Sequence, residues 1–179
     1  ITGEGKWVVL LHGFLLNTKI WSGLIPLLSK KNKVLAIDLP GHGKSDCIDE
    51  IHSMELLADV VNFILEENNI TTANLLGHSM GGYVSLAFLE KYSSKINTIV
   101  LLNSTTEEDS LMRKKNRERM PKIIHTNKNV FVREAIRSLF PEKKLEVYKD
   151  LIELLTKDAL KLSKQAIMAS IHGMKLRSD

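Results

Sequence analysis

The sequence predicts an α/β fold, a parallel sheet with crossover helices that carries an all-helical lid. Three observations lead there. Four short apolar runs, at residues 7–11, 34–37, 73–76 and 96–102, alternate with segments of helical periodicity, the pattern of parallel strands joined by crossover helices. The third run passes into a helix through Gly77-His78-Ser79-Met80-Gly81-Gly82, which sets a serine between two glycines. After Thr106 the apolar runs stop and helical periodicity carries the chain to its last residue.

Trp7-Val8-Val9-Leu10-Leu11 is apolar without alternation, as a strand buried on both faces is. Residues 20–28 bring Trp21, Leu24, Ile25 and Leu28 to one helical face, and Pro26 requires that helix to start late. The second strand leads into the loop Asp38-Leu39-Pro40-Gly41-His42-Gly43-Lys44-Ser45. From the N-cap Ser53, Leu57, Val60, Val61, Ile64 and Leu65 trace an amphipathic stripe that Asn68-Asn69 ends. At the third strand's end the tight turn forces Ser79 into a sparsely populated conformation, costing about 1–3 kcal/mol. Gly77 and Gly81 remove the clashes that side chains would make where strand and helix meet, and Tyr83, Leu86, Ala87 and Glu90 continue at helical spacing. In parallel sheets chemistry gathers at the carboxyl ends of the strands, so His12-Gly13-Phe14, Asp38, Ser79 and Asn103-Ser104 should share one rim. Beyond the fourth strand, helices are expected over 107–119, 130–140, 142–155 and 157–171, with breaks at Pro121 and Pro141. The chain thus divides into a core at residues 1–106 and a helical lid with its lead-out at 107–179.

With 179 residues, 44% hydrophobic and 26% charged, the chain has the balance of one globular domain. No apolar run approaches the ~18 residues that span a bilayer, and residues 1–6 lack a leader pattern. Together with the single cysteine, this points to a cytoplasmic protein with no membrane partner. Cys47 lies in the acidic stretch Ser45-Asp46-Cys47-Ile48-Asp49-Glu50, poor surroundings for a nucleophilic thiolate. A net charge of +4 is too mild to imply nucleic acid. The six basic residues between Arg113 and Lys122 lack interleaved aromatics and read as a solvated helix face. No two histidines or acids stand at ligand spacing on one predicted helix, so neither a metal nor another cofactor is expected.

Leu11-His12-Gly13-Phe14, the loop from Asp38 to Ser45 and the segment from Gly77 to Gly82 occur in an order and spacing that resembles the α/β-hydrolase family, in its lid-bearing serine esterase and lactonase-like branch. The resemblance implies Ser79 as nucleophile and the backbone N–H groups of Met80 and Phe14 as the oxyanion hole. His12, His78 and His42 are then structural. In that family the catalytic acid and histidine follow later strands, whereas after Ser79 only His125 and His172 remain, neither of them after an apolar strand. The expectation is therefore a truncated sheet: an internal portion of a longer hydrolase, with its acid and histidine outside these residues. Residues 1–6 should then be the tail of a hairpin, residues 173–179 the approach to a further strand, and residues 96–102 an uncovered edge.

The expected activity is hydrolysis of a carboxylic ester, thioester or lactone of a small, partly apolar acyl substrate. Phe131, Ile136, Leu139, Phe140 and Tyr148 of the lid would line part of its pocket. Carbon–carbon bond hydrolysis by the same serine is one alternative, and a non-catalytic protein that binds a ligand or partner is another. Epoxide and haloalkane hydrolysis are disfavoured, because in this family they use a carboxylate at the position of Ser79. Oligomeric state is not legible.

Overall fold

In the computed structural model, which describes residues 1–177, the four apolar runs form one parallel sheet. Its strands are β1 (Lys6–Leu11), β2 (Asn32–Ile37), β3 (Ala73–His78) and β4 (Ile96–Leu102), in the order β2-β1-β3-β4. β1 is central and buried on both sides. Val9 and Leu11 face a core built with α2 (Met54–Glu67) and α3 (Met80–Tyr92), through residues such as Leu57, Val61, Val84 and Phe88. Val8 and Leu10 face a smaller cluster with Trp21 and Val34, closed by α1 (Ile25–Leu28). Pro26 sits in the first turn of α1, where its missing N–H costs nothing, so the helix does start late. Ser53 caps α2 by accepting from the Leu56 N–H at 3.1 Å.

The chain leaves β1 toward β2 on one side and returns to β3 on the other, so the strand order reverses between β1 and β3. A crevice opens at the carboxyl ends of strands at such a reversal. The helical layer lies over it: α4 (Leu111–Arg137), α5 (Lys149–Ala159) and α6 (Lys164–Leu176). Ile124, Val132, Ile136, Ile167, Ile171 and Met174 of this layer join Leu15, Leu39 and Met54 in a single core.

Three expectations about the helical layer are corrected. Pro121 does not end a helix. The helix that begins at Leu111 continues through it as far as Asn127, at the cost of the hydrogen bond that a residue with an N–H would give to the Arg117 carbonyl. The backbone departs from helical geometry at Asn127 instead (φ −150°, ψ 78°), where the side chain accepts from the Val130 N–H at 3.2 Å and caps the continuing helix. The stretch expected at 142–155 becomes a 3-10 turn followed by α5, and that expected at 157–171 becomes α6, which starts at the N-cap Ser163. Of the segment 173–179, expected to lead toward a further strand, residues 173–176 complete α6, and Ser178 and Asp179 lie outside the described residues. Gly173 is a packing residue: a side chain there would collide with the His52 carbonyl.

At the start of the chain, Thr2 pairs with Val34 in an antiparallel bridge (N···O 3.1 and 2.7 Å), as a hairpin tail would. At the other edge, no strand among the described residues pairs with the outer side of β4, and Val100 and Leu102 are 46% and 42% exposed. No helix is long and apolar enough to cross a membrane among the described residues.

Candidate active site

Ser79 is the single residue between β3 and α3, at φ 50° and ψ −114°, a region L-residues seldom occupy. Its neighbours hold it there. The Ser79 N–H donates to Leu102 O at 3.0 Å, and its carbonyl accepts from the Gly82 N–H and the Ser104 hydroxyl, each at 2.9 Å. A side chain at Gly77 would fall on the Gly81 carbonyl, and one at Gly81 on the Leu11 carbonyl. Close backbone approach therefore requires both glycines, as the sequence predicts.

The loop after β1 rests against this turn: a Cβ at Gly13 would come within 3.3 Å of Ser79 Cβ and 2.7 Å of His78 Nδ1. Met80 opens α3, and Phe14 follows Gly13. Neither residue's N–H donates to an acceptor among the described residues. Two cavities meet at Ser79. The smaller, about 150 Å3, is mostly apolar and is bounded by Gly13, Phe14, Leu15, Leu16, Ile136 and Leu139. The larger, about 560 Å3, is polar and takes in Asn103, Ser104, Thr105, Glu107, Arg113 and Asn116. Tyr83 and Arg117 border both.

The expected rim is thus only partly shared. His12 is turned inward. Its Nε2 accepts from the Leu39 N–H at 2.9 Å while Nδ1 donates to Gly13 O at 2.8 Å, tying the loops after β1 and β2 together. Burial lowers its pKa to about 4. Burial, with the adjacent His12, lowers that of His42 to about 3, and His42 Nδ1 donates to Pro40 O at 3.1 Å. The carboxylate of Asp38 accepts from the Thr18 and Lys44 N–H groups at 2.7 and 3.0 Å, which shapes the loop rather than reaching Ser79. Of the lid residues expected in the pocket, Ile136 near the end of α4 and Leu139 in the turn after it border it. Phe131 packs against the core, and Phe140 and Tyr148 meet with ring centroids 5.5 Å apart and tilted by 41°, bordering neither cavity at Ser79. Burial lowers the pKa of the half-buried His78, whose Nδ1 has no hydrogen-bond partner among the described residues.

These buried histidines make stability depend on pH. Unfolded, each binds a proton below about pH 6.5. Folded, His12 waits until about pH 4 and His42 until about pH 3, so the unfolded state binds more protons across that window and stability falls with pH. At pH 5 each costs ~2 kcal/mol relative to neutral pH. The carboxylates with lowered values, Asp158 and Asp109 among them, begin to contribute only below about pH 4. The urea midpoint should drop clearly between pH 7.5 and pH 5; an unchanged midpoint would contradict the assignment.

One cluster beside the site has no local sequence signal. Asp109 is fully buried, and its carboxylate accepts from Arg117 Nε on one oxygen and from Arg177 Nη2 at 3.0 Å on the other. The Arg177 guanidinium lies 4.0 Å over the Tyr83 ring. Burial alone would raise the Asp109 pKa, but the two guanidinium partners outweigh it and hold the group below the usual carboxylate range. The rest of the basic stretch behaves more as expected: Lys114 pairs with Glu108 at 2.5 Å, and Glu118 with Lys175 at 2.9 Å, both near the surface. Among the described residues no group of three or more His, Cys, Asp or Glu could hold a metal ion.

Residues 6–130 match the family described as alpha/beta hydrolase fold. The chain belongs to that family. Among its hydrolase-fold relatives, the pimeloyl-[acyl-carrier protein] methyl ester esterase of Aeromonas hydrophila is 34% identical over 104 residues, 58% of this chain and 39% of that protein. The 2-hydroxy-6-oxononadienedioate/2-hydroxy-6-oxononatrienedioate hydrolase of Cupriavidus pinatubonensis is 28% identical along 99% of this chain and 59% of its own length. A structure of a thermophilic esterase from Thermogutta terrifontis, malate bound, superposes with a TM-score of 0.92 at 29% identity, covering 99% of this chain and 66% of that one. The chain thus spans between two-fifths and two-thirds of the length of these relatives.

Proposed function

We propose that this chain forms the nucleophile half of a serine hydrolase that cleaves a carboxylic ester, thioester or lactone of a small, partly apolar molecule. The observation that carries the reading is Ser79, held in a strained conformation between β3 and α3 where an apolar and a polar cavity meet. Its Oγ attacks the acyl carbon, and the carbonyl oxygen takes up the charge against the N–H groups of Met80 and Phe14. Collapse of that adduct expels the alcohol, thiol or ring oxygen with a proton, and water then releases the acid from Ser79. The smaller cavity suits a short acyl chain, and residues 107–179 serve as its lid and lead-out over the core at 1–106.

The base and its orienting acid come, on this reading, from sequence flanking the 179 residues. Both ring nitrogens of His12 are committed to the Gly13 carbonyl and the Leu39 N–H, and His42 is buried with Nδ1 on Pro40 O, so both are read as structural. The single cysteine accords with a cytoplasmic setting. Carbon–carbon bond hydrolysis is favoured as a second reading by one observation. The relative aligned along 99% of the chain is named for hydrolysing an oxo-dioate, a substrate with no ester to cleave.

A fluorophosphonate probe tests the reading. Incubated with the full-length protein, it should attach to Ser79, located by mass spectrometry of the digest, and a panel of acetyl, butyryl and octanoyl esters should be hydrolysed fastest at the short end. Absence of the label would leave a binding protein on a hydrolase fold. Labelling with inert esters would favour the second reading.

A further inference from the structure

The Asp109 cluster has more positive charge than its buried partners neutralise. One carboxylate serves two guanidiniums, and it lies wholly out of solvent between them. Arg177 spends its charge inward, with Nη1 donating to Glu107 O, Nη2 to Asp109 and its face on Tyr83. Arg117 differs. Its side chain is only 15% exposed, Nε is held by Asp109, and Nη1 has only the poorly accepting Met174 sulfur at 3.6 Å. Nη2 makes no hydrogen bond to a described residue. Arg117 borders both cavities that meet at Ser79. The other charges on the larger cavity's wall are accounted for: Glu108 is paired with Lys114, and Glu107 and Arg113 are exposed and opposite in sign.

A guanidinium fixed on one side by a buried carboxylate and open on the other is pre-organised for a second anion. Planar N–H donors match a carboxylate geometrically, and the partly buried setting strengthens the contact. We propose that Arg117 is the substrate-recognition cation of the Ser79 site, and that the preferred substrates bear a carboxylate beside the bond that is cleaved. Asp109 is its positioning residue. The proposal rests on the hydrolase reading for the word substrate, but the anion site itself does not require Ser79 to react.

The test uses monomethyl succinate and dimethyl succinate, which differ by one methyl group and one negative charge, with the full-length protein. The wild type should favour the monoester in kcat/KM. Arg117→Met, which keeps the length and the contact with Met174, should lower kcat/KM for the monoester ~10- to 100-fold more than for the diester, mainly through KM. Arg117→Lys should restore part of the difference. Equal losses on both esters would overturn the proposal. A binding measurement covers the case in which the variants do not fold. In the Ser79→Ala protein, succinate should bind at least tenfold more tightly than dimethyl succinate, and equal binding would overturn the proposal. If that preference is found while the fluorophosphonate fails to label Ser79, the hydrolase reading falls and the anion site stands.

Discussion

Replacing Ser79 by alanine in the full-length protein lowers kcat/KM on short acyl esters by about a thousandfold or more and leaves the melting temperature within a few degrees. The size of the loss follows from covalent catalysis. Without the hydroxyl no acyl-enzyme forms, and only oxyanion stabilisation and binding remain, which leaves a small residue of the whole effect. The near-constant stability follows from the local geometry. The Ser79 hydroxyl makes no hydrogen bond to a described residue, and the contacts that fix the turn come from the backbone N–H and carbonyl of Ser79, which alanine retains. Enzyme assays and a thermal melt on the same preparation check both halves. A variant that keeps a tenth of the activity would remove Ser79 from the nucleophile's role.

Asp109→Ala has the largest expected effect on stability. It leaves the Arg117 and Arg177 guanidiniums facing each other with no carboxylate between them, in a site where Arg177 is 6% exposed. Breaking a buried pair by removing one partner typically costs about 3–5 kcal/mol. For a chain of this length that corresponds to a melting temperature lower by about 10 °C. Asp109→Asn keeps a hydrogen-bond acceptor and should cost less. Differential scanning calorimetry on the two variants checks the order, and an Asp109→Ala protein as stable as the wild type would show that the cluster contributes nothing net.

The parts of this molecule that were legible in the sequence are those governed by local rules. β1 reads as a strand because its apolar run is unbroken, and Ser53 reads as a cap because an apolar stripe starts four residues after it. Gly77 and Gly81 read as close-approach residues because they flank a serine at a strand-to-helix turn. The long-range parts were not legible. The partners that fix Ser79, the accepting Leu102 O and the donating Ser104 hydroxyl, lie more than 20 residues away at another strand end. Arg117 looked like one more member of a solvated basic face, and only its pairing with Asp109 sets it apart, because the fold turns one residue of that stretch inward. Pro121 misled for a related reason: whether a helix bears the loss of one hydrogen bond depends on the packed layer around it.

The conformation of Ser79 also says something about what the turn is for. A positive φ with ψ −114° is far easier for glycine than for serine, so Ser79→Gly should make the protein more stable by about 1–3 kcal/mol. Judged by folding alone, then, serine is the wrong residue at the end of β3. A screen of variants for heat resistance would discard it early, and a screen for turnover would bring it back. The two pressures meet at one side chain, and position 79 is where they can be measured against each other.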